Sequence, residues 1–229
     1  MVDHSSLEQR LGVSFKEKLL LEQALVHRSY INENPSYKYG HNERLEFLGD
    51  AVLELVVTEY LFKNYPNPEG ELTNWRASLV NSKMLAEMSE QLEVNDHLYL
   101  SRGEAKDNNS KARQYILANA FESIVGAMYL DQGYDVASAF IHRELLPKLP
   151  HILENKLYKD PKSSFQEASQ DKVGITPVYR VLNEQGPDHA KVFTIGVFLK
   201  DEEVAQGKGA SKQEAEEAAA RAGLEAKGW

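Results

Sequence analysis

Apolar positions along the chain follow two different periods, which divide it into two regions. From residue 1 to about 147 they recur at helical spacing. Leu19, Leu20, Ala24 and Leu25 form one set, and Leu45, Leu48, Val52, Leu55 and Val56 another. Asn42 stands before the second set as an N-cap, and Glu43 then favours the first turn. Pro66, Pro68 and Gly70 break the pattern ahead of a helix predicted over residues 72–92. Residues 101–113 are polar and read as a loop, and a further helix runs from about 114 to 130.

Pro147, Pro150 and Pro161 bracket a linker, and beyond it the period becomes two. Phe193, Ile195, Val197 and Leu199 alternate with Val192, Thr194, Gly196 and Phe198, a strand pattern. Residues 178–181 predict an earlier strand, 183–188 a turn, and 204–206 a short third strand. An opening helix over 163–169 and a closing helix over 211–224 complete the order α-β-β-β-α. The expected organisation is an all-α domain at 1–147, a linker at 148–159, and a small α+β domain at 160–229.

Composition narrows the chemistry. A hydrophobic fraction of 42% supports packed cores, and the absence of cysteine excludes disulfides, thiolate metal sites and cysteine nucleophiles. The first residues lack the basic and apolar regions of a secretory signal, and no apolar run is long enough to span a bilayer. A soluble, cytoplasmic protein is expected, with no membrane partner. Lys+Arg number 26 and Asp+Glu 35, a net charge of −9. A generic nucleic-acid binder would be basic. Residues 160–229 hold 9 basic and 12 acidic residues, net −3, so any nucleic-acid contact there must come from a local patch.

The most informative stretch is His41-Asn42-Glu43-Arg44-Leu45-Glu46-Phe47-Leu48-Gly49-Asp50. At about 100° per residue, Glu43, Glu46 and Asp50 fall at roughly 0°, −60° and −20° on one helix face. Like charges so grouped repel unless a cation sits among them. Asn119 and Glu122 form a second pair at i, i+3 in apolar surroundings. Oxygen-only ligands select hard cations such as Mg²⁺ or Mn²⁺. The alternative for these acidic positions is a solvated helix face making ordinary ion pairs. No His-Asp dipeptide occurs, which argues against a His-Asp phosphohydrolase, and His27 and His41 read as structural. Gly207-Lys208-Gly209 lacks the spacing of a phosphate-binding loop.

Residues Asn42 to Asp50 resemble the signature motif of the ribonuclease III family, without a departure over nine residues. Gln23-Ala24-Leu25-Val26-His27-Arg28-Ser29, Trp75-Arg76-Ala77-Ser78-Leu79-Val80 and residues 116–131 agree with the same family in order and spacing. The resemblance implies a homodimeric, Mg²⁺-dependent endoribonuclease that cuts double-stranded RNA and processes rRNA and mRNA precursors. Its products would carry 5′-phosphate and 3′-hydroxyl ends. By motif position, Glu46, Asp50, Asn119 and Glu122 would form the metal site, with Asp50 and Glu122 most essential to catalysis. Glu43 and Glu69 would be further acidic residues of the cleft, and Phe47 would lie at the dimer interface. The family commonly has Asp where this chain has Asn119. The rival reading is a double-stranded RNA-binding protein that does not cleave, motivated by that one residue.

The tail resembles a double-stranded RNA-binding domain in Lys162-Ser163-Ser164-Phe165-Gln166-Glu167, in Gly186-Pro187-Asp188-His189 and in residues 207–212. Such domains read duplex RNA by shape, through 2′-hydroxyls and phosphates. The resemblance implies that Ser163, Gln166, Glu167 and His189 meet the minor groove. Lys208, Lys212 and the start of the last helix would meet phosphates. A second basic residue is typical after Lys212, but Gln213 and Glu214 follow here.

Overall fold

The computed structural model describes residues 3–107, 110–187 and 191–229. The chain divides into two compact units, Met1–Tyr158 and Lys159–Trp229.

The first unit is helical throughout: α1 (Ser5–Leu11), α2 (Lys18–Ala24), α3 (Arg28–Glu33), α4 (Glu43–Asn64), α5 (Glu69–Leu79), α6 (Ser82–Gln91), α7 (Arg102–Lys106), α8 (Lys111–Gln132), α9 (Tyr134–Glu144) and α10 (Leu149–Glu154). Short 3₁₀ turns occupy Val94–His97 and Leu146–Lys148. The two 22-residue helices, α4 and α8, form the central pair. Helix α8 is buried on nearly every side, through Ile116, Leu117, Ala120, Phe121, Ile124, Val125 and Met128 among others. A helix that is apolar all round needs neighbours all round. The inward face of α4 supplies Leu45, Val52, Leu53, Val56, Val57 and Leu61.

Glycine lets the central pair touch. A Cβ on Gly49 would overlap the Glu122 carbonyl oxygen, and one on Gly126 would overlap that of Leu45. No other residue permits this separation of the two backbones.

The second unit packs α11 (Pro161–Val173) and α12 (Lys212–Lys227) with an antiparallel sheet of β1 (Val178–Gln185), β2 (Val192–Leu199) and β3 (Glu202–Gly209) in that order. Phe165, Val197, Leu199, Ala219 and Ala220 form its core, and Trp229 stacks on Phe165 with ring centroids 5.5 Å apart. The α+β order is that expected from the sequence.

Several local expectations change. The helix expected over 72–92 is two helices, because the Asn81 side chain accepts the Met84 amide and starts a new one. The polar stretch 101–113 contains α7, capped by Ser101 on the Glu104 amide. Asn42 precedes α4 as expected, yet its side chain makes no capping hydrogen bond and is 2% exposed. The expected linker at 148–159 contains α10, whose Leu149 and Ile152 are buried in the helical core. Prolines at 147 and 150 sit at helix starts, where their fixed φ and missing N–H cost nothing. Finally, β1 continues through Gln185, with a register shift between Val181 and Asn183, into what reads as turn.

Candidate functional site

Four side chains meet where α4 crosses α8. Glu46 and Asp50 stand one turn apart on α4, and Asn119 and Glu122 face them from α8. Burial, then the charges of Asp50 and Glu46, push the Glu122 carboxyl up to about 8. Burial and the neighbouring Glu43 charge raise Glu46 as well, with Asp50 adding to the effect. The side chain of Asn119 opposes that rise by hydrogen bonding to Glu46. The structure thus brings Glu46, Asp50, Asn119 and Glu122 into one electrostatic cluster. The close backbone contact at Gly49 and Gly126 sets its spacing.

Glu43 lies at the rim, exposed, 3.4 Å from the Arg28 guanidinium and 3.8 Å from His41. Glu69 does not join the cluster within one chain. It is in the first turn of α5, accepts a 3.4 Å hydrogen bond from Thr73, and lines a groove of about 560 Å³ with Phe62, Tyr65 and Leu72. Within a single chain Glu69 therefore stands apart from the cluster, beside the C-terminal end of α4. His27 caps α3 by accepting the Ser29 amide at 3.3 Å, a structural role.

Among the described residues, no three His, Asp or Glu side chains converge tightly enough to grip an ion as they stand. The donor set nevertheless suits a hard divalent cation. It is all oxygen, it carries mutually repelling charge, and burial together with that repulsion pushes its Glu122 carboxyl up to about 8. Mg²⁺ usually keeps several waters, so an open set of ligands fits it.

Phe47 is 82% exposed and takes no part in the core. The same face of α4 carries Leu55 at 56% and Phe62 at 79%. Leu55, one of the apolar set that recurs at helical spacing, therefore lies outside the core. Sequence reasoning missed Phe62, although its separation of fifteen residues from Phe47 is near four helical turns and could have shown it.

In the second unit, Ser163, Gln166 and Glu167 are exposed on α11, at i, i+3 and i+4. Asp160 caps that helix on the Ser163 amide and also accepts the Ser163 hydroxyl, at 2.8 Å each. Lys208 is exposed on β3. Lys212 opens α12, with its ammonium 5.7 Å from the Phe193 ring centroid. Two amides at that helix end are already taken. Ser211 Oγ accepts the Glu214 N–H, and Glu214 accepts the Ala210 N–H. The end of α12 thus offers fewer amides to a phosphate than the sequence implied. His189 lies outside the described residues.

A family model described as ribonuclease-III-like matches residues 17–149, more than half of the chain. The chain belongs to the ribonuclease III family. A second model, described as a double-stranded RNA binding motif, matches residues 161–227. Proteins named Ribonuclease 3 are similar over nearly the whole length. The one from Sulfurovum sp. (strain NBC37-1) is 44% identical over 227 residues, covering 99% of each chain. That of a Nitratiruptor species is 43% identical over 218 residues, 95% of this chain and 93% of that one. A solved nuclease domain of ribonuclease III from Campylobacter jejuni, described as flexible in a region involved in dimer formation, is 39% identical with a TM-score of 0.57. It covers 65% of this chain and 99% of that one. Among the described residues of this chain, no helix is long and apolar enough to cross a membrane.

Proposed function

We infer that this chain is an endoribonuclease that hydrolyses phosphodiester bonds in double-stranded RNA, with Glu46, Asp50, Asn119 and Glu122 holding Mg²⁺, for which Mn²⁺ can substitute. The observation that carries this reading is the cluster at the α4–α8 crossing, where burial and like charge push the Glu122 carboxyl up to about 8. Family membership and the matched RNA-binding motif supply the substrate class. A divalent cation bound there supplies a water nucleophile at neutral pH and stabilises charge developing on the phosphodiester.

The chain's own contribution is position and charge. Asp50 and Glu122 come from two helices locked together by glycine, so their carboxylates are held before substrate arrives. Glu122 releases its proton when a counter-charge offsets Asp50 and Glu46. Asn119 contributes a carbonyl oxygen without charge. Glu43 is a secondary acidic group at the rim, tied to Arg28. Hydrolysis places the water oxygen on phosphorus while the 3′ oxygen leaves with a proton, giving 5′-phosphate and 3′-hydroxyl ends. Ser163, Gln166, Glu167, His189, Lys208 and Lys212 are the proposed contacts to the duplex. Processing of rRNA and mRNA precursors in the cytoplasm is the setting this reading implies. The non-cleaving alternative has no observation in its favour, since Asn119 remains within the cluster.

The working form is a homodimer. Phe47, Leu55 and Phe62 make an apolar stripe along α4 that water disfavours. A two-fold axis across this stripe would run the two α4 helices antiparallel and set Phe47 of one copy near the groove beside Phe62 of the other. Phe62 is sixteen residues from Glu46, roughly 24 Å along the helix. The same pairing would carry Glu69 toward the partner's cleft, giving it a role it lacks within one chain.

Glu122→Gln tests the reading. It keeps the shape of the side chain and removes its charge, so the variant is expected to bind an RNA duplex in Mg²⁺ and leave it uncut. Cleavage at the unaltered rate would overturn the assigned site.

A further inference from the structure

The ammonium of Lys212, proposed above to meet an RNA phosphate, is already engaged within the chain. Glu184, at the end of β1, stands 3.6 Å from it and 3.9 Å from Lys191. The placement follows from the sheet. Glu184 pairs with Phe193 across β1 and β2, and Phe193 lies beside Gly209 of β3. The Lys212 ammonium sits over the Phe193 ring, 5.7 Å from its centroid, and beside the Glu184 carboxylate. Lys212 thus has an aromatic surface beneath it and an anion beside it before any RNA arrives.

We propose that Glu184 is an affinity-setting residue of the RNA-binding domain: its carboxylate occupies the cations that duplex RNA must take over, and RNA phosphates bind by displacing it. The proposal rests on the reading of Lys212 as a phosphate contact. An exposed pair of this kind is weak, which suits a contact that must be exchanged. Both partners are more than a third exposed, and such pairs change an equilibrium by about two- to fivefold. The exchange matters here because the domain carries net −3 and has Gln213 and Glu214 after Lys212. With so few cations, one carboxylate that competes for two of them takes a large share of the attraction on which phosphate binding depends. Glu184 would therefore hold down non-selective binding to single phosphates, which cannot repay its displacement as well as a duplex meeting several contacts at once.

The test is a double-mutant cycle on the full chain, with a short RNA duplex in chelator. Lys212→Gln alone should weaken binding, and failure to do so overturns both the phosphate-contact reading and the proposal built on it. Glu184→Gln should tighten binding by about two- to fivefold. Glu225→Gln, which removes an equal charge from the far end of α12, should tighten it less. In the Lys212→Gln, Lys191→Gln background the gain from Glu184→Gln should disappear. If Lys212→Gln weakens binding but Glu184→Gln changes nothing, the phosphate contact stands and the competition does not. A gain that persists without the two lysines would mean that Glu184 acts only through general charge, and the proposal fails.

Discussion

Gly49 and Glu122 are in backbone contact: a methyl group on Gly49 would overlap the carbonyl oxygen of Glu122. That contact joins the helix carrying Glu46 and Asp50 to the helix carrying Asn119 and Glu122. The spacing of the carboxylates is therefore a consequence of helix packing, with glycine as the enabling residue on both sides.

Gly49→Ala is expected to force α4 and α8 apart. Overpacking in a close-packed core costs about 1–3 kcal/mol. Because the clash is with backbone, the helices themselves must shift, so activity should fall further than stability. Chemical denaturation and the Mg²⁺ dependence of cleavage measure the two losses. A variant as stable and active as the parent would mean that the helices do not pack this closely in solution.

The Glu122 carboxyl makes metal-free stability depend on pH. Its folded value is raised from 4.5 to about 8, so the folded chain holds a proton that the unfolded chain gives up. That contribution is fully present below about pH 4.5 and is lost as pH rises through about 8. In chelator, melting temperature should therefore decline across this window. Mg²⁺ should restore it at the alkaline end, by binding the folded form and removing the repulsion. Glu122→Gln should flatten the decline, and an equal slope in that variant would assign the effect to other groups.

Phe62→Asp should convert the dimer to monomer while leaving the helical unit folded, since the side chain is 79% exposed in a single chain. Burying a phenylalanine is worth about 1.5–3 kcal/mol, and a two-fold interface counts the change twice. The dissociation constant should rise by about a hundredfold or more. Sedimentation across a concentration series measures it. Phe47→Asp should behave alike, and a variant that remains dimeric would place the interface elsewhere.

Asn119→Asp should lower the Mg²⁺ concentration needed for half-maximal cleavage. A contact pair is worth about 4 kcal/mol at an effective dielectric near 20, and desolvation and repulsion consume most of it. A shift of about tenfold, roughly 1.4 kcal/mol, is the expected remainder. The same change replaces a hydrogen-bond partner of Glu46 with a like charge, so the variant should melt lower than the parent in chelator. An unchanged Mg²⁺ requirement would put Asn119 outside the metal's ligand set.

The sequence by itself determined the helical class of the first unit and the α-β-β-β-α order of the second, and it singled out the residues of the cluster. A helix period and a strand period are local properties, and the helix period alone puts Glu46 and Asp50 on one face of α4. The spacing of Asn119 and Glu122 is equally local. The tertiary structure decided the rest, because it depends on what each face meets. Leu55 shares the helical spacing of Leu45 and Val52, yet α4 turns it outward together with Phe62. Leu149 and Ile152 look like linker until α10 is found in the helical core. Glu69 shares the acidity of the cluster residues, yet it stands at the far end of α4. The rise of Glu122 to about 8 could not be read from spacing, since it comes from burial and from carboxylates on another helix. Periodicity states which residues share a face, and only packing states whether that face meets core, solvent or a second charged helix.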